Sequence, residues 1–178
     1  MHDSREHWII AAALAAVLFA GSWACKTQEE AAQDESGPPV SAFGVASPRA
    51  RAQLLNGFWE VENHAWRWTR HTFSVSLMPP PAAARLGANL EFRFTLTDGV
   101  IARRRSVTLA VSVGEVALPP ETYTASGSYL YKAEVPAAAF HGADPVAVVF
   151  KTDKYLASGE VESRELALIA QSFALTPR

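Results

Sequence analysis

Residues 90–96 read LEFRFTL and residues 107–113 read VTLAVSV. In both runs every second residue is apolar, and the residues between are polar or small. A period of two places Leu90, Phe92, Phe94 and Leu96 on one face and Glu91, Arg93 and Thr95 on the other. That is the pattern of a strand covered on one side and wet on the other, as in an antiparallel sheet. Working outward, Thr72–Leu77 and Tyr129–Val135 repeat the alternation, while Pro145–Phe150 and Leu166–Leu175 are more continuously apolar, as central strands can be. Pro79-Pro80-Pro81, Asp98-Gly99, Gly114-Glu115, Pro119-Pro120, Ser126-Gly127 and Ala157-Ser158-Gly159 punctuate these runs as turns. Gly114-Glu115 has glycine first, as a type II′ hairpin needs. Only Ala82–Leu86 and Pro136–His141 offer a helical turn, the second with proline at its first position. The expected fold is all-β: seven or eight short strands in a two-sheet antiparallel β-sandwich, jelly-roll-like.

Upstream of the strands, Trp8–Cys25 reads WIIAAALAAVLFAGSWAC and ends on the only cysteine of the chain. An apolar run of that length near the N-terminus, followed by polar residues, reads as an export signal. Small residues at Ser22 and Ala24 suit a signal peptidase, and cleavage would leave Cys25 first, the position at which bacterial lipoproteins are acylated. The head MHDSREH has one certain cation, Arg5, and Trp23 is bulky for a lipoprotein box. Three readings stay open: cleavage with lipidation at Cys25, cleavage without it, and an uncleaved anchor helix. Each places the mature domain in the cell envelope outside the cytoplasm, either periplasmic or tethered to the outer membrane. Residues 1–24 are therefore expected as signal peptide or membrane anchor. Residues 25–50, rich in Gln, Ser, Pro and acidic side chains, are expected as a flexible tether, and residues 51–178 as the β-sandwich.

With 49% hydrophobic and 19% charged residues among 178, the chain has enough apolar material for one core. A lone cysteine forms no intramolecular disulfide, so packing alone must hold the domain in an oxidising compartment. The net charge of −2 provides no basic field for nucleic acid.

VTLAVSVGEVAL followed by SYLYKAEVPAAAFHGADPVAVVF is similar to the galactose-binding-like jelly rolls of bacterial accessory domains. The wider pattern, from Gly57-Phe58-Trp59 through Trp66-Arg67-Trp68 to Arg164-Glu165-Leu166, resembles an uncharacterised class of bacterial envelope domain associated with polysaccharide synthesis. The resemblance spans most of residues 57–178. It implies a fold and carries no agreed activity.

The densest cluster of chemistry is Gly57–His71, with three of the five tryptophans, two histidines and two arginines. Indole faces match the C–H faces of a pyranose, and neighbouring arginine or carboxylate groups can bond its hydroxyls. Trp59, Trp66, Arg67 and Trp68 are the candidate ligand-binding residues. Indoles that fill the core with Arg67 packed over one of them are the competing reading. Trp66 and Trp68 should share a face, with Arg67 opposite.

Glu60 and Glu62 lie on one strand face about 6.6 Å apart by strand rise, a spacing relevant to glycoside hydrolysis, although glutamates so placed are more often solvated. His64 and His71 lack a third ligand at metal spacing. No metal, no cofactor and no catalytic activity are expected. Arg103-Arg104-Arg105 reads as an exposed loop that could meet an anionic partner or guard a sheet edge, and Arg164-Glu165 as a pair across a strand end. The expected partners are the membrane, through a Cys25 lipid or the apolar N-terminus, together with a polysaccharide or an envelope protein.

Overall fold

Each alternating run becomes a strand in the computed structural model, which describes residues 37–178. The strands are β1 (Ala42–Gly44), β2 (Leu54–Glu62), β3 (Trp66–Leu77), β4 (Ala88–Leu96), β5 (Val107–Val113), β6 (Val116–Ala117), β7 (Glu121–Tyr123), β8 (Gly127–Val135), β9 (Val146–Thr152) and β10 (Ile169–Pro177). Alternation translates directly into burial. Phe92, Phe94, Leu109 and Val111 face the core while Arg93 and Ala110 are exposed.

The ten strands form one hydrogen-bonded antiparallel sheet, seven of them in the order β6-β5-β9-β3-β10-β4-β8 with β1 on β10, β2 on β3 and β7 on β5 beside that path, where the sequence predicts two separate sheets. The sheet is curled, and β3 is where it turns. Its first half pairs with β10, Trp68 lying opposite Ile169, and its second half with β9, from Thr72–Lys151 to Leu77–Val146. Beyond Ala170, β1 takes over the edge of β10 that β3 has left. In a flat sheet β4 and β9 would stand about 14 Å apart, three strand spacings. Instead the rings of Phe92 and Phe150 meet at 4.8 Å. Stacked pairs Phe92–Phe173 and Phe73–Phe150 line the facing wings, and the core sits between them.

Local chemistry closes the turns. Gly114 has φ +54° and Glu115 is not in the positive region, as a type II′ turn requires. The β2–β3 hairpin turns on Asn63 and His64, both left-handed at φ 49° and 53°, with the Ala65 N–H donating to the Glu62 carbonyl at 3.1 Å. Asn is a favoured opener for such a turn, so this hairpin carried a local signal at Asn63. Ala83–Leu86 is a short helix and Ala137–Ala139 a 3-10 turn after Pro136.

Two expectations are corrected. Asp98–Arg104 is a helix rather than a turn and an arginine loop; Val100 is buried beneath it, and Asp98 sits in the first turn while Arg103 and Arg104 sit in the last, each matching the helix dipole. One buried residue in seven leaves no periodicity to read. The folded unit also begins near Pro38, so the later part of the 25–50 stretch is not tether. β1 pairs with β10, and Val45 and Ala50 are fully buried. Gln53 clips this segment down, its side-chain amide donating to the Val40 and Ser76 carbonyls at 2.9 and 2.7 Å. Among the described residues no helix is long and apolar enough to cross a membrane. Trp8–Cys25, and with it the lipidation residue Cys25, lies outside them.

Candidate functional site

The β2–β3 ladder is irregular, with register shifts after Leu54, Asn56 and Phe58. Gly57 makes the irregularity feasible. Its φ is +78°, and a Cβ there would lie 2.2 Å from the Thr72 carbonyl oxygen and 2.6 Å from the Phe73 Cα. Only glycine lets β2 approach β3 this closely. Shifts of this kind re-aim side chains, and an open cleft of about 520 Å³ lies beside them, lined by Asn56, Gly57, Phe58, Arg70, His71, Thr72 and Glu165. A smaller one of about 280 Å³, reaching Glu60 and Arg67, shares Asn56, Gly57 and Phe58 with it.

The four candidate residues split into separate roles. Trp59 is half-buried against the core, donates from Nε1 to the Glu165 carbonyl at 2.7 Å, and carries the Arg70 guanidinium 4.7 Å over its ring. Trp68 also packs on the core, and Trp66 meets it edge-on at 6.3 Å. The indoles thus form neither a fully buried set nor one platform: Trp66 and Trp68 are a pair, and Trp59 stands apart under its arginine. Arg67 is mostly buried and occupied, donating from Nε to the Val45 carbonyl at 2.9 Å and from Nη1 to the Trp59 carbonyl at 3.0 Å. It holds β3, β2 and the post-β1 turn together, which is close to the competing reading, with backbone in place of an indole face.

The carboxylates have diverged. Glu60 is fully exposed, with Arg67 3.9 Å away, and Glu62 is held by Arg164 at 2.7 Å. Glu162 and Glu62 beside Arg164 raise its pKa further above the ordinary guanidinium value.

Glu165 is the residue that the sequence did not mark for this site. Its Oε1 accepts from the His71 backbone N–H at 2.5 Å and meets His71 Nδ1 at 2.6 Å, while the imidazole stacks on Tyr155 at 4.6 Å. Arg164, its neighbour, reaches to 5.8 Å from the Trp59 ring. The hydrogen-bonded and ion-paired partners among these lie 94 or more residues apart in sequence, beyond any local pattern. Of the arginine triplet, Arg104 donates to the Tyr155 carbonyl and pairs with Glu160, and that pairing holds the Glu160 carboxyl below the usual carboxylate range. Its role is to fasten the helix end to the loop after β9. Among the described residues no three His, Cys, Asp or Glu side chains gather as a metal site.

The cleft can therefore offer hydrogen-bonding groups from Asn56, Arg70, His71 and Thr72, next to an indole braced from below. No protein-family model matches the chain, and no curated protein matches it significantly.

Proposed function

We propose that the chain is a non-catalytic, envelope-tethered β-domain that recognises a polysaccharide, with a jelly-roll-like architecture akin to the galactose-binding-like domains it resembles. The observation that carries this reading is the cleft beside the β2–β3 irregularity. Its wall brings Asn56, Arg70, His71 and Thr72 to one opening, and Arg70 also lies across the Trp59 ring. Sugars are bound by such mixtures of flat apolar surface and fixed polar groups. Trp66 and Trp68, half-buried on the same hairpin, form a second aromatic pair. A binding role is favoured over hydrolysis because Glu62 is tied to Arg164 and Glu60 points into solvent, so the two carboxylates do not converge on one bond.

A glycan array followed by titration calorimetry on Trp66→Ala, Trp59→Ala and Arg70→Ala tests the reading. Trp66 has no core packing to lose, so its removal should weaken binding by about 1–3 kcal/mol and leave the melting temperature near wild type. Trp59→Ala should lower stability as well, because the Glu165 hydrogen bond and its core contacts go with the ring. Wild-type protein that binds no glycan on the array would end the sugar hypothesis and leave a docking role in an envelope assembly.

A further inference from the structure

An open sheet edge is a template for another strand, and proteins ordinarily blunt such edges by shortening, bulging or covering them. Four of the exposed edges here are blunted in this way. β1 and β7 are three residues long and β6 two, and β2 is interrupted by three register shifts. β8 is the exception. It is nine residues long, ends the strand order, and pairs with β4 alone among the described residues, in unbroken register from Ala88–Val135 to Leu96–Gly127. It contains no proline and no bulge.

The side chains of β8 say what fits beside it. Lys132 and Glu134 are two apart, hence on one face, and their side chains are 60% and 68% exposed despite contacts to Glu91 and Arg178. In an antiparallel pair of two identical β8 strands centred on Ala133, Lys132 of each copy lies opposite Glu134 of the other, giving two ion pairs about the two-fold axis. Shifting the axis by one residue puts Lys132 on Lys132, or Glu134 on Glu134, and like charges directly opposite are destabilising. The strand is therefore complementary to itself in a register that its own charges select, and a two-fold contact of this kind closes on itself rather than growing into a fibre.

We propose that β8 is a homodimerisation edge, joining two copies of this chain into a continuous sheet through Tyr131–Val135 with Lys132 opposite Glu134.

Sedimentation velocity on the full-length chain in detergent tests it, with Lys132→Glu, Glu134→Lys and the double exchange. Wild type should sediment as a dimer at about 100 µM. Each single exchange opposes like charges twice and should weaken association at least about tenfold. The double exchange should restore the dimer. Both positions are exposed, so circular dichroism should show all three variants folded. A monomeric wild type overturns the proposal, as do single variants that associate as well as wild type, or a double exchange that fails to recover association.

Discussion

Tyr131 illustrates how one side chain in this fold couples packing to pH. It is fully buried, and its hydroxyl donates to the Pro119 carbonyl at 3.0 Å. Burial, and then the charge of Glu121, push its phenol from 10.0 up to about 12. A pKa raised in the folded state contributes stability that is intact below about pH 10 and is lost as pH climbs through the folded value. The melting temperature should therefore fall between about pH 10 and 12. Tyr131→Phe should cost about 1 kcal/mol at neutral pH through the lost hydrogen bond, yet descend less steeply over that alkaline range. Melts followed by circular dichroism from pH 9 to 12 would read both effects. Some slope should remain, because Tyr123 is also raised, by burial first and then by its bond to Glu121. At the same scale, the candidate site was only half legible. The local density of Trp59, Trp66, Arg67 and Trp68 marks the β2–β3 hairpin, beside which the cleft lies. That Arg67 spends its donors on backbone, and that Glu165 reaches His71, depend on which distant segments fold against them.

Strands are the elements that the sequence declares most openly, because a side-chain period of two is a property of the backbone itself. β4 shows the consequence for stability. Phe92 stacks on Phe173 at 4.6 Å and touches Phe94 and Phe150, while its neighbour Arg93 is exposed. Phe92→Ala should cost roughly 3–5 kcal/mol, and Arg93→Ala less than about 0.5 kcal/mol. Urea denaturation of the two variants measures this, and equal losses would mean that the covered face had been misassigned. Elements with few buried positions are harder to read. The Asp98–Arg104 helix buries Val100 alone, so it looks like a turn followed by charges. β1 is short and sits in a polar, proline-containing stretch, and its order comes from β10 and Gln53 rather than from its own residues.

For the whole molecule, the curl of the sheet decides what is core and what is surface. It carries the phenylalanines of β4 and β10 onto those of β3 and β9, and brings the loop before β10 to the cleft beside β2 and β3. A dimer through β8 would present two such clefts on one particle, and linked sites gain avidity for a repeating polymer without any new contact. Acylation at Cys25 would place that particle on a membrane. Metabolic labelling with a palmitate analogue should mark the wild type and not Cys25→Ser; labelling of neither form would replace the lipid anchor by plain secretion or a retained anchor helix. The sequence by itself determined the all-β class, most strand positions, their inward faces and the Gly114-Glu115 hairpin. Those follow from short-range alternation and turn chemistry, which neighbouring residues enforce whatever the rest of the chain does. Tertiary structure alone decided that the strands join into one curled sheet, that the domain starts near Pro38, and that Glu165 completes the cleft. Such outcomes rest on contacts between residues dozens to a hundred positions apart, where pairing is chosen by the competition of whole surfaces for burial rather than by any local pattern.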